Sequence, residues 1–182
     1  MSGAAPESML AVRDARDDDQ DALVDLIGSC FAEYPGCVMD IDELPELRAI
    51  ASYAREHGGR FWVVEEHGEG APRVVACAGF TDVTGGIELK KLYVSHRARR
   101  RGLGGRLCAL VEGAARERGA GFIELWSDTR FADAHRLYRG RGYRQSEETR
   151  ELHDRSATVE YHFRLDLGRV GAGAVTAAAK GG

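Results

Sequence analysis

The segment RARRRGLGGRL, residues 97–107, packs five arginines around three glycines in a chain of formal net charge −4. Glycine lets main-chain N–H groups come close to a ligand, and arginine offers charge-assisted, often bidentate bonds to phosphate. The residues that follow have the spacing of an amphipathic helix, with Leu103, Leu107, Leu110, Val111 and Ala114 on one stripe and Gly119 past its end. The first N–H groups of such a helix are unpaired, and its dipole favours negative charge. Strand, glycine–arginine turn and helix, in that order, lay out a phosphate cradle. It is not a P-loop, which needs Gly-Lys-Ser/Thr after its spacer, nor the G-x-G-x-x-G fingerprint of dinucleotide binding. Taken alone, the turn would serve equally well as a solvated surface turn.

The elements that must position this turn follow from periodicity. LAVRDAR alternates as a short strand, and DDDQDALVDLIGSCFAEY reads as a helix with Leu23, Leu26, Ile27, Cys30 and Phe31 along one face. Tyr34-Pro35-Gly36 stops it. DELPELRAIASYAREHGG reads as a second helix, with Leu47, Ile50 and Ala54 inward and Gly58-Gly59 as terminator. RFWVVEE, RVVACAGFT and IELKKLYV form a meander of three strands whose last leads into the arginine turn. After the amphipathic helix come a strand (GFIELWS), a short helix (DTRFADAHRLYRGRG) and two strand-like segments, YRQSEETRELHD and ATVEYHFRLDL. The expected fold is therefore a mixed sheet covered by helices.

Composition narrows the ligand class. The 182 residues are 43% hydrophobic and 30% charged, an ordinary mix for one globular domain. The acidic balance, and the lack of aromatic residues among the arginines, argue against nucleic acid. Cys30, Cys37, Cys77 and Cys108 form no CxxC pair, and the histidines are dispersed, so no metal is expected. Reduced cysteines acting as small buried hydrophobes fit a cytoplasmic protein. No run reaches the ~18 apolar residues of a membrane span, and MSGAAPESMLAV has no signal-peptide pattern, so no membrane association is expected. Residues 1–8 read as a flexible leader, 9–167 as the domain, and 168–182, rich in Gly and Ala, as a disordered tail.

From Arg99 the sequence reads R-x-x-G-x-G (Arg99, Gly102, Gly104), with Leu107 following. This resembles the pyrophosphate-binding signature of the GNAT superfamily of N-acetyltransferases. ELKKLYV looks like that family's fourth strand, and Ala134, Leu137, Tyr138, Gly142 and Tyr143 are similar to its A-x-x-L-Y-x-x-x-G-[FY] segment. The resemblance implies an α/β (α+β) fold: a mixed, mostly antiparallel sheet of about seven strands flanked by about four helices, splayed between strands 4 and 5. It also implies acetyl-CoA as co-substrate, bound in that splay, and transfer of its acetyl group to a primary amine by direct attack.

Residue by residue, the resemblance puts the thioester and pantetheine against Leu92, Tyr93 and Val94. The phosphates fall to Arg99, Arg100, Arg101, Gly102, Leu103, Gly104, Gly105 and Arg106, and Ala134 leaves room for the pantetheine arm. Tyr138 matches the family's general acid toward the departing thiolate, and a phenol with pKa near 10 suits that task; the alternative is a packing tyrosine. Glu88 falls where one branch of the family places its general base; the alternatives are a sheet glutamate paired with Lys90 or Lys91, a histidine such as His96 or His135, or a chain of waters. One position departs: seven residues before Tyr138, where the family often carries a cofactor-contacting asparagine, stands Phe131. Thr129, or packing of Phe131 on the pantetheine, would have to substitute.

The acceptor site is implied to lie at the loop between the first two helices, at Tyr34, Cys37, Val38, Met39 and Asp40, and at the hairpin of the last two strands. Acidic residues there would favour a cationic amine, while Tyr34, Val38 and Met39 would suit an apolar one. The acceptor is a small-molecule or peptide amine, and a homodimer is left open. A non-catalytic module that binds acyl-CoA as a sensor or scaffold is the competing reading.

Overall fold

In a computed structural model, residues 9–68 and 70–168 are described. The leader, and the Gly/Ala-rich tail apart from Gly168, lie outside the described residues. In chain order the elements are β1 (Met9–Asp14), α1 (Gln20–Phe31), α2 (Ile50–Glu56), β2 (Arg60–His67), β3 (Arg73–Val83), β4 (Gly86–Val94), α3 (Leu103–Glu117), β5 (Phe122–Asp128), α4 (Ala132–Gly140), β6 (Arg144–Glu151) and β7 (Val159–Asp166). The seven strands form one sheet in the order β1-β2-β3-β4-β5-β7-β6. Every neighbouring pair is antiparallel except β4 and β5, which run parallel. This is the expected mixed sheet with four helices.

Two cores hold the layers together, one on each face of the sheet. On one face α1 and α2 bury Leu23, Leu26, Ile27, Cys30, Ile50 and Ala54 against Phe61, Val63 and Cys77. On the other, Leu103, Leu107, Cys108, Val111 and Ala115 of α3 pack with Tyr138 of α4 on Val64, Phe80, Leu89, Leu125 and Phe163. Each fully buried side chain of this size contributes about 1.5–3 kcal/mol relative to exposure. The α3 stripe is turned slightly from the sequence expectation: Cys108 and Ala115 face the core, and Leu110 and Ala114 only flank it.

The second helix is shorter than its periodicity suggests. Residues Pro45–Ala49 form a 3-10 turn, and the α-helix begins at Ile50. Pro45 lacks an N–H and restricts Leu44, so the chain cannot wind continuously from Asp42. Leu47, Ile50 and Ala54 are nonetheless buried as expected. What remains between α1 and this turn is a strap, residues 32–44, that crosses the open end of the sheet.

Parallel pairing of β4 and β5 consists of Ile87 with Ile123 and Glu88 with Glu124, and then stops. From Leu89 onward β4 has no strand partner on its β5 side. The sheet is split at that point.

Candidate active site

A bulge in β4 accompanies the split. Cys77 pairs with Tyr93 and Gly79 with Lys90, so Lys91 and Leu92 oppose the single residue Ala78. Lys91 takes φ 55°, a left-handed conformation that a lysine adopts only when its surroundings hold it there. They do: the Cys77 thiol donates to the Lys91 carbonyl at 3.2 Å, and Lys91 Nζ lies 2.6 Å from Glu46. The bend turns β4 away from β5 and leaves the Leu92–Val94 main chain at the rim of the gap.

On the α3 side of the gap runs a groove of about 340 Å³, lined by Leu92, Tyr93 and Val94, by Arg99, Arg100 and Gly102–Gly105, and by Tyr34, Phe131, Ala134 and Leu137. Gly102 caps α3 at φ 76° and Arg100 sits at φ 60°. No side chain caps the helix. The N–H groups of Leu103, Gly104 and Gly105 therefore face the groove with no capping partner, an anion site of main-chain donors. Among the described residues Arg100 and Arg106 have no ion-pair partner. Arg99 and Arg101 do: Arg99 makes a bidentate pair with Glu33 at 2.6 Å, and Arg101 lies 2.5 Å from Glu66. Diphosphate fits the cradle by its donors. Its apolar walls suit a pantetheine chain.

A second cavity of about 600 Å³ opens on the α1–α2 side of the sheet. Glu88, Trp126, Asp128, Arg150 and Glu160 line its floor, and Cys37, Val38 and Asp40 of the strap line its roof. The strap is latched across it. Val38 N donates to Ser156 Oγ at 2.8 Å, Arg155 N to Glu43 at 2.8 Å, and Arg155 Nη1 to Asp40 at 3.0 Å. Leu92, Tyr93, Phe131 and Ala134 line this cavity and the groove alike, so the two meet at the split.

Several placements differ from the sequence reading. Tyr34 lines the groove rather than the second cavity, its ring tilted against Phe131 with centroids 4.8 Å apart. Met39 packs into the core beside Gly28. Cys37 is only half-buried, unlike the other three cysteines. Thr129, Arg101 and Arg106 line neither cavity. Phe131 joins Phe31, Tyr34 and Tyr93 in an aromatic wall where an asparagine was the family pattern. Glu88 lines the second cavity while its carboxylate lies 2.7 Å from Lys90 Nζ. Tyr138 reaches that cavity too, with its ring packed on Tyr143 and Phe163. Burial pushes its phenol well above its ordinary pKa, so the group stays protonated.

Trp126, Arg150 and Glu160 were not singled out from sequence. Arg150 stacks over Trp126 at 4.5 Å and pairs with Glu160 at 2.5 Å. The alternation of β5, anchored by Glu124 beside Glu88, would have placed Trp126 on the Glu88 face.

The model of the acetyltransferase (GNAT) family matches residues 21–143, more than half of the chain. The chain belongs to the GNAT acetyltransferase family. Solved structures share its fold. A GNAT-family acetyltransferase from Staphylococcus aureus Mu50 is 19% identical over 87% of this chain and 99% of that one, with a TM-score of 0.74. A protein from Salmonella typhimurium, provisionally described as an acetyltransferase and solved with its cofactor acetyl-CoA, is 19% identical over 93% and 99%, with a TM-score of 0.65. The ribosomal-protein-S18-alanine N-acetyltransferase of Escherichia coli is 17% identical over 91% and 98%, also at 0.65. No protein of curated function matches the sequence. No helix among the described residues is long and apolar enough to cross a membrane.

Proposed function

We propose that this GNAT protein transfers the acetyl group of acetyl-CoA to a primary amine by direct attack within a ternary complex. The observation that carries this reading is the meeting of a phosphate-cradling groove with a second cavity that charged side chains enter, at the split between β4 and β5. A thioester and an amine entering from the two faces would touch there. The solved relative holding acetyl-CoA supports the donor's identity.

Each residue then has a task. The N–H groups of Leu103, Gly104 and Gly105, with the Arg100 guanidinium, hold the diphosphate. The unpaired edge of β4 at Leu92, Tyr93 and Val94 offers main-chain hydrogen bonds to the pantetheine amides, as a sheet edge does to an added strand. Glu88 draws the amine proton into the second cavity, directly or through water, and Lys90 holds its carboxylate meanwhile. Tyr138 gives its proton to the departing sulfur. Because burial raises the phenol above the value that would match a thiolate in water, the transfer requires the sulfur's charge to develop in the same desolvated surroundings, which raise its basicity alike. No cysteine is needed as nucleophile.

Cys37, Val38 and Asp40 bound the acceptor from above. The roofed cavity fits a small amine or an extended peptide end, and the protein works in the cytoplasm with its four cysteines as free thiols. Release of CoA thiol from acetyl-CoA, measured against a panel of polyamine, aminoglycoside, aromatic and peptide amines, tests the proposal. Turnover with any of them supports transfer. CoA binding without thiol release across the panel would favour the acyl-CoA sensor instead.

A further inference from the structure

We propose that Arg99, the first residue of the phosphate-binding signature, is a positioning residue: with Glu33 it forms a strut by which the cofactor cradle holds the roof of the acceptor cavity. The reading rests on acetyl-CoA as ligand of the groove. Three N–H groups of Arg99 are committed within the protein. Nε donates to the Val94 carbonyl at 3.1 Å, and Nη1 and Nη2 donate to the two oxygens of Glu33 at 2.6 Å each. An arginine whose fork already grips a carboxylate has no second fork for a diphosphate, and its charge is balanced. The main-chain donors of α3 and Arg100 carry the anion without it.

What Arg99 does instead follows from where Glu33 lies. α1 ends at Phe31, so Glu33 stands in the first turn of the strap, one residue before Tyr34 and four before Cys37. The far end of the strap is latched by Ser156 and Arg155, as described above. The near end has the Arg99–Glu33 pair, reinforced where the rings of Phe31 and Tyr34 pack tilted against Phe131 at centroid distances of 6.1 and 4.8 Å. Both partners are about 28–29% exposed, enough shielding for a bidentate pair to hold geometry. Order in the cradle therefore fixes the roof over the amine.

The test uses the full chain and two probes, N-ethylmaleimide and CoA. Cys37 on the strap is half-buried while Cys77 and Cys108 are fully buried, so alkylation mapped by mass spectrometry reads the roof with internal controls. Arg99→Ala and Glu33→Ala should each speed alkylation of Cys37 roughly threefold or more with Cys77 and Cys108 still protected, and the double variant should be no faster than the quicker single, as coupled partners require. Glu33→Gln, which keeps the shape, should fall between. Unchanged Cys37 reactivity, or equal loss of protection at all three cysteines, overturns the strut. CoA titration gives an independent sign. If Arg99 were a phosphate ligand, Arg99→Ala would weaken CoA binding at least as much as Arg100→Ala; the strut requires Arg99→Ala, which removes the same charge, to weaken it less. A wild-type chain that binds no CoA would defeat the donor reading, yet the alkylation cycle needs no CoA and still decides the strut.

Discussion

The donor groove draws its anion-binding side, Leu92–Val94, Arg99, Arg100 and Gly102–Gly105, from one stretch of chain, whereas the acceptor cavity collects side chains from the strap, from β3, β4 and β5, and from the β6–β7 turn. The groove presents main-chain donors fixed by one bulge and one helix end. The cavity presents side chains held by ion pairs between distant segments, such as Arg155 with Asp40, 115 positions apart. Main-chain recognition survives most substitutions outside its glycines. Side-chain recognition changes with any one residue, so the same scaffold can serve many amines.

The largest effect is expected at Tyr138, which lines the acceptor cavity one helical turn from Ala134, where groove and cavity join. Tyr138→Phe keeps the ring packing on Tyr143 and Phe163, so CoA affinity should hold while kcat falls about 100-fold or more, roughly 2.7 kcal/mol. Because burial raises the phenol pKa, its protonated form persists upward in pH, and no alkaline limb of the rate below about pH 10 should come from this residue. Steady-state kinetics across pH decide it; a rate within a few-fold of wild type leaves Tyr138 as packing.

Damage confined to the groove comes next in size. A Cβ on Gly104 would stand 3.0 Å from Leu137 of α4, not over the anion site as the signature alone suggests. Gly104→Val should therefore cost about 1–3 kcal/mol of stability by overpacking α3 against α4, with CoA affinity reduced as a consequence. Denaturant unfolding beside CoA titration separates the two; weakened binding at full stability would return Gly104 to the anion.

Glu88→Gln probes the cavity side. We expect kcat to fall by about tenfold or more, 1.4 kcal/mol, with KM for acetyl-CoA unchanged, since Glu88 lines the cavity and not the groove. A rise in that KM would merge the two sites.

The same contrast explains what was legible beforehand. The cradle could be read because Arg99, Gly102 and Gly104 are neighbours in sequence and a helix period follows them. The β2-β3-β4 meander and the mixed sheet followed from alternation and turn signals, whereas the order β5-β7-β6 did not. The bulge at Lys91 could not be read: KKLYV contains no glycine or proline, and contacts from Cys77 and Glu46, distant in sequence, hold the lysine at positive φ. Nor could Glu33 be matched to Arg99, because pairing between residues 66 positions apart is set by how α1 lies on the sheet. Tyr34 and Met39 exchanged their expected surroundings for a similar reason: within a loop no period says which side faces which cavity.

The smallest expected effect lies in the wall behind the junction. His135 of α4 is 4% exposed, and its Nε2 lies 3.2 Å from the hydroxyl of Ser127, a residue that lines the acceptor cavity. Tyr161 and Phe163 of β7 face the ring, the main chain of Asp128 bonds it, and Arg139 repels a charge there. Burial, the largest influence, lowers its pKa below 6.5, so the native state holds the neutral form. As pH drops below 6.5 the unfolded chain takes up a proton that the native state refuses. Stability is then lost down to the native pKa, with a slope of at most about 1.4 kcal/mol per pH unit. His135→Gln retains an amide to meet Ser127 but cannot titrate. Urea unfolding at pH 7.5 and 5.5 should show a larger loss in wild type than in the variant. Equal losses would mean that His135 is protonated in the native state. The carboxylates whose pKa values are lowered, Asp14, Asp17, Asp19, Asp40 and Glu65, lose their contribution only as pH falls through the ordinary carboxylate range and beyond it, below the window compared, so they do not mask the difference. Because Ala134 and Tyr138 share α4 with His135, acid should loosen the side of the split that groove and cavity have in common, before it reaches the glycines of the cradle.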